Sequence, residues 1–256
     1  MNFLRLLSTA KADSGSKICV GLDFANYGSR STQTLAKNQD KVTKILQTIE
    51  ELSSYCCAFK INRQYILDLY LDQIQQITYT IHERNRPIII DHKVSDIGFT
   101  NDQALYHFSQ EGFDAFTYSP FPGNVKEICD KAKRRGLATF VLVLMSNPEA
   151  AWMTQWSKGC VPLYQHLARL TNLYAEGAVV GATGHVGDSE LKILSQELSD
   201  KVILAPGIGQ QGGGLSQLLK YFREEVVFNI GRGIIYQKNP LAKLKEYNME
   251  IGKLDP

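Results

Sequence analysis

Three opposite charges within six residues are the feature of this sequence that most directly suggests chemistry. Asp91, Lys93 and Asp96 belong to the segment IIIDHKVSDIG at 88–98, directly after an apolar run. Alternate residues of a strand share a face, so Asp91 and Lys93 should point the same way and His92 the other way. A lysine between two carboxylates is expected to keep its proton, and such a fixed cation can stabilise negative charge in a transition state.

Polar residues and glycines also stand where other apolar segments end. They are Asp23, Lys60, Asn62, Ser146, Pro206, the loop GIGQQGGG at 207–214 with Gln211, Gly231 and Arg232. Active sites of parallel barrels form at the carboxyl ends of the strands, so we expect these residues to converge. Glycine-rich backbone at a helix start, together with an arginine, binds phosphate oxygens. The loop 207–214 and Arg232 therefore predict a phosphorylated ligand.

The elements that must position these residues alternate between short apolar runs and longer segments with helical spacing. The predicted strands are Lys17 to Asp23, Cys57 to Asn62, Pro87 to Lys93, Ala115 to Ser119, Thr139 to Ser146, Ala178 to Ala182, Val202 to Pro206 and Val226 to Arg232. The predicted helices between them are 38–52, 64–84, 102–111, 125–135, 162–176 and 188–198. Eight strands that are mostly apolar on both faces and alternate with helices indicate a parallel (β/α)8 barrel, or TIM barrel. An open, doubly wound sheet is the alternative.

Length and composition favour one catalytic domain over residues 1–256, with residues 1–15 as an N-terminal extension. The segments 25–37 and 147–159 are irregular and follow strand ends, where barrel enzymes build lids. Arg5 interrupts the apolar residues near the amino terminus, so neither a signal peptide nor a membrane span is expected. We therefore expect a cytoplasmic protein with no membrane partner.

The net charge and the spacing of the cysteines and histidines exclude several classes of partner. The 28 basic and 26 acidic residues give a net charge of +2 without a basic run, so no nucleic-acid partner is expected. The five cysteines lack C-x-x-C spacing and indicate buried free thiols. The five histidines show no ligand pairing, so no transition-metal site is expected. Ser146 and Lys60 stand in no recognisable nucleophile triad.

The glycines of GATGHVG at 181–187 imitate a dinucleotide-binding turn. Such a turn normally opens the first strand–helix–strand unit of a dinucleotide-binding domain, whereas this one lies late in the chain. No dinucleotide cofactor is expected.

Taken in order, the motifs resemble those of the orotidine 5′-phosphate decarboxylase family, from Gly21 to about Pro240. The matching motifs are GLD at 21–23, FKIN at 59–62, D-x-K-x-x-D-I at 91–97, MS at 145–146, APGIG at 205–209 followed by Gln211, and IGR at 230–232. The resemblance implies a dimeric (β/α)8 barrel that converts orotidine 5′-monophosphate to UMP in pyrimidine synthesis. It also implies that neither a metal nor a cofactor takes part.

The resemblance further implies roles for the charged residues. Asp23 and Lys60 would contact the ribose, and Ser146 would hydrogen-bond the pyrimidine. Asp91 and Lys93 would flank the reacting carbon, C6 of the ring. Loss of carbon dioxide leaves a carbanion there, which protonated Lys93 would stabilise and then protonate. Asp91 would keep Lys93 charged and oriented.

The phosphate and the subunit interface complete the implied site. Gln211 and Arg232 would hold the phosphate, and Pro206 would begin the loop that closes over it. Asn62 and Gly231 complete the candidate substrate-binding residues. Asp96, Ile97 and Thr100 would come from the partner subunit of a homodimer.

Two other functions remain open at this point. Magnesium-dependent sugar-phosphate decarboxylases and aldolases of related barrels share D-x-K-x-x-D, but they carry an acidic metal ligand where this chain has Lys60. A catalytically silent barrel that binds a phosphometabolite would be expected to have lost part of the charge set. All of Lys60, Asp91, Lys93 and Asp96 are present.

Overall fold

A closed barrel of eight parallel strands forms the centre of the molecule. The computed structural model describes residues 2–27, 34–36, 39–152, 156–181, 186–207 and 214–254. The barrel strands are β1 (Ile18–Gly21), β2 (Ala58–Asn62), β3 (Ile88–Val94), β4 (Ala115–Tyr118), β5 (Ala138–Leu144), β8 (Gly177–Val180), β9 (Val202–Pro206) and β10 (Val226–Ile230). Pairing of β1 with β10 closes the sheet. The predicted (β/α)8 barrel is confirmed, and each of the eight predicted strands is present.

One helix precedes β1, and the others follow the strands and cover the outside of the barrel. They are α1 (Phe3–Ser14), α2 (Lys41–Leu52), α3 (Leu71–Glu83), α4 (Gly98–Gln110), α5 (Val125–Arg134), α6 (Leu163–Tyr174), α7 (Asp188–Glu197), α8 (Leu215–Phe222), α9 (Arg232–Ile235) and α10 (Pro240–Leu254). The segment 147–159, predicted to be irregular, contains a 3-10 turn at Pro148–Ala150 and the strand β6 (Ser157–Lys158). That strand pairs in antiparallel fashion with β7 (Val161–Pro162).

Helix α3 begins seven residues later than the predicted start at residue 64. The Asn62 side chain accepts a hydrogen bond from the backbone N–H of Gln64 at 3.0 Å and caps a separate 3-10 turn, Arg63–Tyr65. A second cap starts α3 itself, because the Gln73 side chain accepts from the backbone N–H of Tyr70 at 2.9 Å. Local capping therefore divides the helical segment in two.

Apolar side chains fill both faces of the sheet, as expected for a parallel barrel. One cluster lies between the strands and the helices, and a second fills the barrel interior. Phe3 and Leu7 of α1 belong to the interior cluster, and the Phe3 ring meets Phe140 edge to face with centroids 5.4 Å apart. Burial of such a side chain contributes roughly 1.5–3 kcal/mol. Residues predicted as an extension thus form a helix packed against the barrel.

Four of the five cysteines are buried free thiols, as predicted, whereas Cys160 is exposed. The prediction fails for Cys160 because it lies in the short connection between β6 and β7, outside the packed layers. Burial raises the pKa of Cys57 to about 12, so this thiol stays protonated at neutral pH. No helix in the described ranges is long and apolar enough to cross a membrane.

Candidate active site

A chain of three charged side chains crosses the carboxyl ends of β2 and β3. The Lys60 Nζ donates to Asp91 Oδ2 at 2.8 Å, and the Lys93 Nζ donates to Asp91 Oδ1 at 2.7 Å. The Lys60 side chain is only 5% exposed, whereas the Lys93 side chain is 41% exposed. One ammonium group is therefore enclosed, and the other is open to a ligand.

The pairing keeps the buried members of this chain ionised. Burial alone would lower the pKa of Lys60, but attraction to Asp91 and Asp23 outweighs it and leaves that pKa above its ordinary value. Burial would raise the pKa of Asp91, but Lys60 and Lys93 hold it well below its usual range. Each partner thus offsets the desolvation of the other.

A β-bulge presents Lys93. Ile90 pairs with Phe116 of β4, and the next pairing joins Val94 to Tyr118, so the register shifts between them. Lys93 lies within the bulge with a φ of +54°, which is unfavourable for a residue with a Cβ. His92 points outward and its ring lies edge-on to Phe108 of α4, with centroids 5.7 Å apart. The predicted division of faces is confirmed, although the strand is not regular there.

Asp23 and Asn62 connect the first two strand ends. The backbone N–H of Asn62 donates to Asp23 Oδ1 at 2.8 Å. Asp23 lies beyond the end of β1 and Asn62 is the last residue of β2, so this bond ties the segment after β1 to the end of β2. The predicted convergence of these two residues is observed.

A cavity of about 120 Å³ opens beside the charged chain. Its lining residues are Lys60, Asp91, Lys93, Thr117, Leu142, Met145, Ser146, Val179, Leu204, Pro206 and Asn229. The structure thus brings the predicted residues Lys60, Asp91, Lys93, Ser146 and Pro206 to one site. The cavity combines a charged wall with an apolar wall, as small-molecule sites commonly do.

A larger groove of about 580 Å³ lies at the opposite, amino-terminal end, beside α1. Lys11 in that groove already donates to the backbone carbonyls of Glu224 and Val226. Catalytic groups of parallel barrels stand at the carboxyl ends of the strands, so the smaller cavity is the candidate site.

Gly181 explains part of the glycine motif that imitates a dinucleotide-binding turn. A Cβ at Gly181 would lie 2.5 Å from the Cα of Ser146, so the end of β8 packs directly on the Ser146 backbone. The glycine at this position is needed for close packing that shapes the cavity. Residues 182–185 of the motif lie outside the described residues.

Thr117 and Asn229 line the cavity but are not among the residues predicted from the sequence. Thr117 Oγ1 lies 2.9 Å from both Asp91 Oδ1 and the backbone nitrogen of Lys93. The Oδ1 of Asn229 is buried and has no hydrogen-bond partner among the described residues. A buried polar atom without a partner at a cavity wall is a natural contact for a bound ligand. Neither residue stands in a motif, and only their inward positions on β4 and β10 could have indicated them.

The predicted phosphate residues are described in part. Gly231 and Arg232 directly follow β10, and the exposed Arg232 begins the short helix α9. A Cβ at Gly21 would lie 3.0 Å from the Cα of Gly231, so β1 and β10 approach closely at this end. Gln211 and the rest of 208–213 lie outside the described residues.

Asp96, Ile97 and Thr100 are exposed and do not belong to the described lining of the cavity. Asp96 Oδ1 accepts from the backbone N–H of Ile97 at 2.7 Å, and Asn101 Oδ1 accepts from the backbone N–H of Asp96 at 3.2 Å. These bonds shape the turn between β3 and α4. Within one subunit, these three residues therefore do not belong to the described Lys60–Asp91–Lys93 site.

Comparison with known proteins finds related sequences and structures. A sequence profile of the orotidine 5′-phosphate decarboxylase / HUMPS family matches residues 16–247. Orotidine 5′-phosphate decarboxylase of Janthinobacterium sp. (strain Marseille) is 30% identical over 253 residues, covering 93% of this chain and 91% of the relative.

Two solved structures share the fold. The Leishmania donovani OMP decarboxylase superimposes with a TM-score of 0.81 at 24% identity, covering 100% of this chain and 99% of the other. The Leishmania donovani UMP synthase gives a TM-score of 0.83 at 24% identity, and this chain spans 57% of its length. From the profile match and the 30% identical relative, this chain belongs to the orotidine 5′-phosphate decarboxylase / HUMPS family.

Proposed function

We propose that this protein decarboxylates orotidine 5′-monophosphate to UMP in pyrimidine nucleotide biosynthesis. The observation that carries the proposal is the Lys60–Asp91–Lys93 chain at the carboxyl ends of the strands, with Lys93 open to the cavity. The 30% identical relative is named orotidine 5′-phosphate decarboxylase and aligns with 93% of this chain, which supports the same reaction.

In the proposed reaction, the bond between C6 and the carboxylate breaks and carbon dioxide leaves. The electron pair stays on C6, where the ammonium of Lys93 stabilises it. Lys93 then donates a proton to C6, and solvent returns a proton to the lysine. Asp91 orients Lys93 through the 2.7 Å contact, and Lys60 orients Asp91 through the 2.8 Å contact. No step requires a metal or an organic cofactor.

The remaining polar residues bind the rest of the nucleotide in this proposal. Asp23 and Asn62 stand at the joined ends of β1 and β2 and, with Lys60, face the ribose. Ser146 hydrogen-bonds the pyrimidine from the other side of the cavity. Pro206 begins the closing loop that contains Gln211. Gln211 holds the phosphate together with Gly231 and Arg232, which follow β10.

The magnesium-dependent sugar-phosphate reaction is not favoured by the charges of the site. A divalent cation prefers several oxygen ligands, whereas Asp91 already accepts from two ammonium groups. Lys60 would place a buried positive charge next to the metal. A catalytically silent barrel is not favoured either, since all three members of the Lys60–Asp91–Lys93 chain are present.

We further propose a homodimer in which Asp96, Ile97 and Thr100 complete the partner's site. Large apolar side chains that follow β3 and β4 are exposed in the single chain: Ile97 is 64%, Phe99 89% and Phe121 93% exposed. Exposed apolar groups favour burial against another protein surface, and a second copy would bring Asp96 to the Lys60–Asp91–Lys93 group. The cytoplasm is the proposed location of this dimer.

An ultraviolet assay of orotidine 5′-monophosphate conversion in excess EDTA tests the reaction class. The proposal predicts turnover to UMP that EDTA leaves unchanged. A folded protein that binds UMP without turnover would support the silent barrel. Turnover of a sugar phosphate that EDTA abolishes, without turnover of the nucleotide, would support the magnesium-dependent class.

A further inference from the structure

Thr117 is a buried polar residue on β4 that faces the bulge of β3. Its side chain is surrounded by protein, with the residue only 2% exposed. The Oγ1 accepts a hydrogen bond from the backbone N–H of Lys93 at 2.9 Å. The same atom lies 2.9 Å from Asp91 Oδ1.

The direction of both hydrogen bonds follows from the atoms involved. A backbone N–H can only donate, so the oxygen of Thr117 must accept from Lys93. The single hydroxyl hydrogen is then free to donate to the carboxylate of Asp91, which is ionised and can only accept. One hydroxyl therefore links the main chain of Lys93 to the carboxylate that holds its side chain.

The bulge creates the need for this link. Residues 91–93 lie between the pairs Ile90–Phe116 and Val94–Tyr118, so three residues of β3 face the single residue Thr117. Regular ladder hydrogen bonds are interrupted at such a place. Lys93 also has a φ of +54°, a conformation that persists in a non-glycine residue only where its surroundings hold it.

We propose that Thr117 is a positioning residue for the decarboxylation: its hydroxyl holds Asp91 and the Lys93 backbone so that the ammonium meets the charge developing at C6. The inference rests on the proposed function of the site. Thr117 acts through its two neighbours, and the proposed chemistry needs no direct contact between Thr117 and the reacting atoms. Misplacement of a catalytic group by a fraction of its hydrogen-bond length weakens transition-state stabilisation.

The test compares Thr117→Val with Thr117→Ser in turnover of orotidine 5′-monophosphate. Valine keeps the shape and removes both hydrogen bonds, so kcat should fall about 10- to 100-fold, the loss expected for hydrogen bonds to charged groups. Serine keeps the hydroxyl and should restore kcat to within about threefold of wild type. UMP lacks the reacting carboxylate, so its Kd should change less than about threefold in both variants.

Thr139→Val on the neighbouring strand is the matched control, because Thr139 is also buried but does not belong to the described cavity lining. It should leave kcat at the wild-type value. Thermal unfolding of each variant separates folding from positioning, and Thr117→Ala provides a smaller hydroxyl-free side chain if the valine variant does not fold. A kcat that stays within threefold in a folded, hydroxyl-free variant would overturn the inference. Failure of the wild-type protein to turn over nucleotide would instead overturn the proposed function.

Discussion

The carboxylate of Asp91 accepts hydrogen bonds from both lysines and from Thr117. Its two oxygens therefore connect an enclosed cation, an open cation and a neutral hydroxyl. Because Lys60 is nearly buried, its charge depends on Asp91 for compensation. Asp91, which transfers no proton in the proposed reaction, thus holds both lysines in place.

Asp91→Asn should lower kcat about 10²- to 10³-fold at neutral pH and lower the melting temperature. The amide leaves two lysine charges facing each other without a carboxylate between them. Steady-state turnover and thermal unfolding measure the two effects. Asp130→Asn is the control, since Asp130 pairs with Lys126 on an exposed helix face and should change kcat less than about twofold. Equal turnover of Asp91→Asn and wild type would contradict the role given to Asp91.

At the scale of elements, close contacts at both ends of the strands hold neighbouring elements together. Gly181 lets the end of β8 lie against the backbone of Ser146. Asp114 lies directly before β4, and its Oδ2 is 2.9 Å from His82 Nε2 in the last turn of α3. The same Oδ2 accepts from the backbone N–H of Ile88 at 2.8 Å. One carboxylate therefore ties α3 to the start of β3.

Gly181→Ala should displace Ser146, because the added Cβ would lie 2.5 Å from its Cα and 2.7 Å from its backbone nitrogen. Because Ser146 is proposed to contact the pyrimidine, a shift of this kind should lower kcat/KM about 10²-fold. Gly252→Ala, in the open last turn of α10, has no atom of a described residue within 4 Å of the new Cβ and should preserve activity. Unchanged kcat/KM in Gly181→Ala would show that Ser146 does not need its observed position.

His82→Gln should reduce stability more at pH 5.5 than at pH 8.5. The hydrogen bond that the His82 ring donates to the Asp114 carboxylate raises the pKa of His82, so protonated His82 favours the folded state. That contribution is complete below the unfolded pKa of about 6.5 and is lost as the pH rises through the raised folded pKa. Thermal unfolding of wild type, His82→Gln and the exposed control His107→Gln at both pH values measures it. A pH-independent difference for His82→Gln would rule out this contribution.

The elements show what sequence patterns could and could not predict. Apolar runs ending in Asp23, Asn62 or Pro206 predict strands and their polar ends because both signals are local. The start of α3 at Leu71 depends on the side-chain caps made by Asn62 and Gln73. The bulge at Lys93 depends on pairing with another strand, which no local pattern encodes.

Thr117 and Asn229 show the same limit within the site. In the alternation of their strands, both residues stand at positions that face the barrel interior. A polar residue at such a position is by itself only a weak signal of a functional site. Their significance comes from neighbours far away in the chain, namely Asp91 and Lys93 for Thr117, and the cavity wall for Asn229.

At the scale of the whole molecule, the barrel places a charged site beside an exposed apolar surface. Ile97, Phe99 and Phe121 follow β3 or β4 at the carboxyl end, where the charged chain also lies. A twofold dimer through this surface would bury these side chains and bring each Asp96 toward the other chain's site. The proposed dimer would thus serve both surface burial and chemistry.

Mixing inactive Lys93→Ala and Asp96→Ala proteins should restore about a quarter of wild-type activity after random subunit exchange. Half of the dimers would then be mixed, and each mixed dimer would contain one intact site of two. Activity of the mixture, with exchange verified by tagged subunits, measures the recovery. Absence of recovery despite complete exchange would contradict the shared site.

The most direct test of the account is single-turnover conversion of orotidine 5′-monophosphate by wild type and Lys93→Ala in excess EDTA. Lys93 is assigned both carbanion stabilisation and proton donation, so its removal should slow the chemical step about 10⁴-fold or more while UMP still binds. Lys192→Ala, outside the described cavity lining, should match wild type. A Lys93→Ala protein that converts the nucleotide within about tenfold of the wild-type rate would contradict the central role of this lysine.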